Sequence, residues 1–190
     1  MMNRTASIAQ FKSELEKING KCFVASDFED AAKIISSIII KNLYKSVVVN
    51  NSLPIKESMS LNSSMNIKTV EELSSYGDIK KALAATDVGI SYAEYLVAQT
   101  GSAILVSNRD EPRLLSLLPE ASIIVSRATN LVSDYSVAMQ LLKDRNLFVE
   151  SNCITIISGP SRTADIEKVL VTGVHGPKKL YVIIVNLEKD

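Results

Sequence analysis

The chain has 190 residues, of which 46% are hydrophobic, and its 21 basic and 21 acidic residues cancel. This length and apolar content fit one domain with a substantial core, and the scarcity of aromatic residues predicts that the core is aliphatic. A balanced charge without a basic block argues against nucleic acid as the main partner.

The sequence also lacks the patterns of membrane and exported proteins. The longest apolar stretch, around 34–40, contains two serines and ends at Lys41, so it is shorter than the about 20 apolar residues that span a bilayer. Charged residues such as Arg4 and Lys12 stand where a signal peptide has its apolar core. We therefore expect a cytoplasmic protein with no membrane partner.

The two cysteines, Cys22 and Cys153, lie in apolar, strand-like runs with no neighbouring Cys or His. We expect them to be small buried hydrophobic side chains rather than a disulfide or a metal site. Two cysteines cannot supply the four thiolates usual for an iron–sulfur cluster, and no second histidine or acidic cluster has metal-ligand spacing. We expect no metal and no cofactor in this chain.

The first half of the chain alternates helical and strand patterns. Residues 8–18 place apolar side chains on one helical face, and Gly20 is a typical stop. Ser26, with Glu29 three residues later, predicts a capping box at the start of a long helix with an apolar face. The predicted elements of this half are helices over 8–18, 26–43 and 78–85 and strands over 21–25, 46–50 and 65–70.

The second half opens with a motif that contains glycine. Residues 91–99 predict a short helix, Gly101 ends it, and an apolar strand follows over 102–106. Two interpretations of Glu94 and Gln99 remain open. They are hydrogen-bonding groups that face a pocket, or they are solvated helix residues beside a glycine cap.

A second motif, over 154–167, is the most informative stretch. Its apolar run ends at Ser158, turns at Gly159 and becomes a helical pattern by Ala164. In an open α/β sheet, ligands bind where strands end and helices begin, and a helix N-terminus offers free N–H groups and a partial positive charge. The motif predicts a pocket wall for a carboxylate or phosphate, although the same loop also fits ordinary strand-to-helix chemistry without a ligand.

The candidate site residues come from these motifs and from a third one over 173–177. Its His175, the sole histidine, is either a general base that titrates near neutral pH or a hydrogen-bonded turn residue. The candidate catalytic groups are Glu94, Asp165 and His175. The candidate anion-binding residues are Ser158, Gly159, Ser161, Arg162 and Thr163, together with Gln99, Thr100 and Gly101.

Strand and helix alternate along the chain, most clearly after residue 86. Further elements predicted there are helices over 113–118, 134–146 and 164–172 and strands over 122–126, 154–157 and 180–187. This order predicts an α/β sandwich with a mainly parallel sheet, since parallel neighbours need crossover helices. Loops that follow parallel strands share one rim, whereas the turn with His175 precedes its strand and belongs to the opposite rim unless one strand is antiparallel.

Three runs of residues carry a resemblance to a known family. They are Gly89-Ile90-Ser91-x-Ala93-Glu94 leading to Gln99-Thr100-Gly101-Ser102, then Ser158 to Glu167, and then Gly173-Val174-His175-Gly176-Pro177. The stretch from about Thr86 to Val185 resembles the LUD domain of the lactate-utilisation protein C (LutC/YkgG) family, with Glu94 where an Asp is typical and Gln99 where a Glu is typical. We expect a single LUD-type domain over 1–190, with a motif-bearing core over about 86–187 and a more weakly matched part over 1–85.

The resemblance implies a three-layer α/β/α sandwich similar to the NagB/RpiA/CoA-transferase group. It also implies a role in oxidising L-lactate to pyruvate, beside partner subunits that carry iron–sulfur clusters. The leading hypothesis is a cytoplasmic component of such a system that binds a small carboxylate or phosphate metabolite, or its partner subunits. The alternatives are a stand-alone isomerase or acyl/CoA-transferase and a structural subunit without a small-molecule site. A homo-oligomer is compatible with each of them.

Overall fold

A computed structural model describes residues 4–51, 53–55, 66–74, 78–107, 113–151, 153–164, 170–172 and 176–187, with the backbone alone at 163–164 and 170–172. Helices α1 to α6 span Arg4–Lys17, Phe28–Lys41, Val70–Ser74, Ile79–Ala84, Tyr135–Asp144 and Leu147–Glu150. Strands β1 to β12 span Lys21–Ala25, Ser46–Val49, Asn66–Thr69, Val88–Tyr92, Tyr95–Val97, Ser102–Ser107, Ala121–Arg127, Leu131–Val132, Cys153–Ile157, Arg162–Ala164, Leu170–Thr172 and Lys179–Val185. Short 3₁₀ turns lie at Arg113–Ser116 and Ala128–Asn130.

Six parallel strands form the central sheet, in the order β1-β12-β7-β4-β2-β3. Its middle strands are apolar along most of their length because both faces of the sheet are covered. Strand β12, for example, is buried from Leu180 to Val185. The prediction of an α/β sandwich with a mainly parallel sheet and helices on both sides is confirmed.

The two faces of the central sheet are covered differently. Helix α2 packs on one face, where Ile35 and Ile39 are fully buried. Helix α1 packs on the other face through Phe11 and Leu15, and it shares that face with a second sheet of order β8-β5-β6-β9. The outer side of the second sheet packs on α5. None of the helices in the described ranges is long and apolar enough to cross a membrane.

The cap of α2 lies one residue later than predicted, at Asp27 and not at Ser26, and the helix itself begins at Phe28. The Asp27 carboxylate accepts a hydrogen bond of 2.7 Å from the N–H of Asp30, and this bond lowers the pKa of Asp27. The Asp30 carboxylate accepts in turn from the N–H of Ser26, at 3.0 Å. The second bond comes from the residue before the cap and not from the cap itself, so the pair differs from the reciprocal exchange of a capping box. The predicted capping box of Ser26 and Glu29 is therefore wrong, and Asp27 and Asp30 cap the helix instead.

The predicted helix over 91–99 is wrong. The chain there forms the end of β4, the short strand β5 and a turn that leads to Gly101. Strand β5 lies between β6 and β8 in the second sheet, with the central sheet on one side and α5 on the other. Every residue from Tyr95 to Ala98 is buried as a result. Apolar spacing over so short a stretch does not distinguish such burial from the apolar face of a helix.

The predicted helix after Ala164 is also wrong in the part that the structure describes. Strand β10 at Arg162–Ala164 pairs in antiparallel fashion with β11 at Leu170–Thr172, so both ends of this stretch are extended. Residues 165–169 between them lie outside the described residues. The helix predicted over 113–118 is a 3₁₀ turn at Arg113–Ser116.

Two neighbouring isoleucines test which face of α2 is buried. Ile39 is fully buried, whereas Ile40 is 58% exposed. Removal of a buried Ile side chain costs about 2–5 kcal/mol, and surface changes stay within about 0.5 kcal/mol. We therefore expect urea denaturation to show a free energy of unfolding about 2–5 kcal/mol lower in Ile39→Ala and almost unchanged in Ile40→Ala. Equal losses would contradict this orientation of α2.

The two free thiols should differ in reactivity. Cys22 is buried, as predicted, and burial raises its pKa to about 12, whereas Cys153 is only half-buried. Because the thiolate is the reactive form, iodoacetamide near pH 8 should label Cys153 in the folded protein and both cysteines after unfolding. Peptide mass spectrometry reads the result. Equally fast labelling of both cysteines in the folded protein would contradict the burial of Cys22.

Candidate functional site

The loop that follows β9 lies at the amino-terminal rim of the central sheet. Strand β9 is not part of that sheet but pairs with β6 in the second sheet. Its loop therefore meets Ser122, near the start of β7, and the turn of Gly176 and Pro177 that precedes β12. The expectation that this loop shares the carboxyl-terminal rim of the parallel strands is wrong, because it assumed a single sheet.

Two of the sequence motifs meet at this rim. The N–H of Ser161 donates a 2.9 Å hydrogen bond to the carbonyl oxygen of Pro177, and a Cβ added at Gly176 would lie 3.1 Å from the Ser161 Cβ. The contact borders a cleft of about 240 Å³, which we call the serine cleft. Its hydroxyl-bearing lining residues are Ser116, Ser122, Thr155, Ser158 and Ser161, and no charged side chain lies among its described lining residues.

One hydroxyl of the serine cleft has no partner. Ser122 is 1% exposed, and its Oγ makes no hydrogen bond within the described part of the chain. The neighbouring hydroxyl of Ser116 is satisfied, since it donates to the carbonyl oxygen of Arg113 at 3.1 Å. Buried hydroxyl groups are nearly always hydrogen-bonded, and an unbonded one costs free energy. A buried hydroxyl without a partner in the described part of the chain therefore lies among the residues that line the cleft.

Four hydroxyl groups beside the cleft form what we call the hydroxyl cluster: Thr100, Ser102, Tyr135 and Ser158. Ser102 is fully buried at its centre. The Ser102 Oγ lies 2.9 Å from Thr100 Oγ1, 2.8 Å from the Tyr135 hydroxyl and 2.6 Å from Ser158 Oγ. Burial opposes ionisation of the Tyr135 phenol, but hydrogen bonds with the three other members outweigh it and lower its pKa. The structure thus brings together Thr100 and Ser158, which the sequence had placed in different motifs.

Sequence reasoning missed Ser122, Ser102 and Tyr135. Ser122 and Ser102 lie at the starts of apolar strands, where a serine is an ordinary small residue. Tyr135 directly follows Asp134, where the predicted helix over 134–146 begins and which caps α5. That cap was the one local signal near Tyr135, and it does not say which strand the tyrosine contacts.

Two candidate anion-binding residues, Gly101 and Gly159, contact the end of α1. Gly101 has φ 63°, and a Cβ there would lie 2.3 Å from the backbone nitrogen of Leu15. Gly159 has φ 83°, and a Cβ there would lie 2.9 Å from the carbonyl oxygen of Ile18. Positive φ favours glycine, and the close backbone approach leaves no room for a Cβ. Packing of the second sheet against α1 therefore accounts for both glycines without a ligand.

The guanidinium of Arg162 is hydrogen-bonded to the backbone of the same chain. Its Nη2 donates a 2.7 Å hydrogen bond to the carbonyl oxygen of Ile18, and Arg162 opens a strand where a helix N-terminus was expected. Gln99 is exposed, and its backbone N–H donates to the carbonyl oxygen of Ser133 at 3.0 Å. The side chains of Thr163, Asp165 and His175 lie outside the described residues.

Glu94 belongs to a different place, after the carboxyl-terminal end of β4. Its carboxylate is hydrogen-bonded by the guanidinium of Arg145, which also donates to the Tyr95 hydroxyl at 3.2 Å. These bonds, to Tyr95 first and then to Glu94, raise the pKa of Arg145. Strand β5 separates Glu94 from residues 99–101. Among the residues that the structure describes, no three His, Cys, Asp or Glu side chains are grouped as metal ligands.

Most of the chain is similar to a known domain. A family model described as the LUD domain matches residues 8–185. The uncharacterized protein YkgG of Escherichia coli (strain K12) is 43% identical over 100 residues, which cover 51% of this chain and 43% of that protein. Lactate utilization protein C of Bacillus subtilis (strain 168) is 39% identical over 111 residues, which cover 57% of this chain and 46% of that protein. The protein of the same name from Halalkalibacterium halodurans is 39% identical over 113 residues, which cover 57% of this chain and 47% of that protein. The chain thus matches less than half the length of these curated relatives.

A solved structure has a similar fold. A DUF162 family protein from Deinococcus radiodurans has a TM-score of 0.72 with this chain and is 23% identical to it. The alignment covers 97% of this chain and 99% of that chain. At this level of identity the likeness concerns the fold alone.

The substitution Gly101→Ala tests whether the second sheet is held against α1. The added Cβ would overlap the backbone of Leu15, and a left-handed φ alone costs an alanine about 1–2 kcal/mol. We expect chemical denaturation to show a loss of at least about 1–2 kcal/mol in the free energy of unfolding. The neighbouring exposed substitution Gln99→Ala should stay within about 0.5 kcal/mol of wild type. Equal stability of the two variants would contradict the close contact.

Proposed function

The chain belongs to the LUD domain family, and from that premise we propose that it is a component of a lactate-utilisation system and binds lactate or pyruvate in the serine cleft. It acts in the cytoplasm, beside partner subunits that carry iron–sulfur clusters. Relatives named lactate utilization protein C support the metabolic assignment, since they are 39% identical to the chain over the aligned segment. That segment is less than half of each relative, so the proposal concerns what this shared part does.

The observation that carries the ligand proposal is the buried hydroxyl of Ser122, which has no hydrogen-bond partner in the described ranges of the chain. An ionised carboxylate only accepts hydrogen bonds, whereas a serine hydroxyl can donate one. Hydrogen bonds to an ionised group are stronger than those between neutral groups. A cleft that is lined by Ser122, Ser158 and Ser161 and has no acidic side chain among its described residues therefore suits a small carboxylate.

The size of the serine cleft supports the same class of ligand. Sites for drug-sized molecules have about 300–1,000 Å³, and the serine cleft has about 240 Å³. A small hydroxy or oxo acid fits such a volume, whereas coenzyme A is much larger.

Calorimetric titration with lactate and pyruvate tests the proposal on wild type, Ser122→Ala and Ser91→Ala. The hydroxyls of Ser122 and Ser91 are both buried without a hydrogen-bond partner among the described residues, but only Ser122 lines the cleft, so Ser91→Ala is a matched control. Loss of a hydrogen bond to a charged group costs about 1.5–3 kcal/mol, and about 1.4 kcal/mol is a factor of ten in affinity. We expect Ser122→Ala to bind about tenfold or more weakly and Ser91→Ala to bind like wild type.

Two outcomes would contradict the proposal. If wild type binds neither acid, or if Ser122→Ala binds as tightly as wild type, the serine cleft is not the site. Turnover of a sugar phosphate or an acyl-CoA compound by the purified chain would instead favour a stand-alone isomerase or acyl/CoA-transferase.

A further inference from the structure

The hydrogen bonds of the hydroxyl cluster have a direction that follows from counting hydrogens. A hydroxyl group accepts at most two hydrogen bonds and donates one. Ser102 accepts from Thr100 at 2.9 Å and from Tyr135 at 2.8 Å. Because both acceptor sites of Ser102 are then filled, its bond of 2.6 Å with Ser158 is one that Ser102 donates.

None of these three bonds uses the hydroxyl hydrogen of Ser158. Ser158 also interacts with Tyr135, and this interaction contributes to the lowered pKa of Tyr135. Ser158 is exposed and lines the serine cleft, whereas Ser102 is fully buried. A ligand in the cleft meets Ser158 as a hydrogen-bond donor.

We propose that Ser102 and Tyr135 are positioning residues that present Ser158 as a donor and so make the serine cleft select an ionised carboxylate over a neutral group that itself donates. This inference rests on the proposed function of the cleft. A protein hydroxyl that is fixed as a donor forms a hydrogen bond with an acceptor group of the ligand. A ligand group that itself donates finds no acceptor there, so it stays unpaired and the ligand binds more weakly. Burial of Ser102 strengthens the effect, because hydrogen bonds are stronger away from water.

Regular structure holds both positioning residues in place. Asp134 caps α5 by accepting from the N–H groups of Ser136 at 2.9 Å and Val137 at 3.1 Å, which fixes Tyr135 as the first helical residue. Ser102 opens β6, which lies between β5 and β9 in the second sheet. Groups on helices and strands hold a geometry more precisely than groups on loops.

The test compares each acid with its own amide, lactate with lactamide and pyruvate with pyruvamide, by calorimetric titration. The variants are Ser102→Ala and Tyr135→Phe, and Tyr92→Phe is the control because its hydroxyl bonds Asn130 at the other rim. The measured quantity is the ratio of the Kd of the amide to the Kd of the acid. We expect this ratio to fall about two- to tenfold in both variants, the size of one hydrogen bond, and to stay unchanged in Tyr92→Phe. A general loosening of the site would weaken acid and amide alike and leave the ratio constant.

Failure of this inference can be told from failure of the proposed function. Unchanged ratios in both variants, with wild type still binding the acids, overturn the positioning role and leave the proposed function standing. If wild type binds none of the four compounds, the proposed function is wrong and this inference falls with it. If Ser102→Ala does not fold, the ratio of Kd values measured for Tyr135→Phe tests the inference by itself.

A second measurement needs no ligand. Burial raises the pKa of Tyr135, but its hydrogen bonds with the other hydroxyls of the cluster, the one with Ser102 first, lower it below its ordinary value, so Ser102→Ala should raise it. NMR titration of ¹³C-labelled tyrosine follows this phenol in wild type and variant. An unchanged titration curve would show that Ser102 does not bond Tyr135 and would overturn the inference.

Discussion

A close contact at the end of α1 holds the second sheet against the central one. Gly101 and Gly159 bring their backbones to Leu15 and Ile18 at distances that leave no room for a Cβ, and Arg162 donates to the carbonyl oxygen of Ile18. The turn before β6 and the turn after β9 thus pack against the same segment, residues 15–18 at the end of α1. Because that segment leads into β1, the first strand along the chain, the contact places both turns at the amino-terminal rim of the central sheet.

The two rims of the central sheet consequently differ in chemistry. At the carboxyl-terminal rim, Glu94 and Arg145 bond each other, so their charges are already satisfied within the chain. At the amino-terminal rim, Ser158 follows β9 and lies beside Ser102 at the start of β6, and the buried hydroxyl of Ser122 has no partner in the described part of the chain. This difference is why the proposed site for a small anion is at the amino-terminal rim.

Local patterns predicted five of the six strands of the central sheet, all except β4, and several helix starts, such as that of α5 at Asp134, because spacing and capping depend on neighbours in sequence. The predictions were wrong where the position of a strand in the fold depends on the strand with which it pairs. Strand β9 has the composition of a buried parallel strand, and no local feature shows that it pairs with β6 instead. For the same reason the sequence indicated Ser158 and Ser161 but not Ser122 or Ser102, which join the site only through contacts between distant strands.

The location of the ligand is the central claim, and backbone amide NMR spectra recorded during a titration with lactate and pyruvate test it most directly. The account predicts that chemical-shift changes concentrate at the amino-terminal rim, around Ser122, Ser158 and Gly176. Changes concentrated around Glu94 and Arg145 at the opposite rim would contradict it.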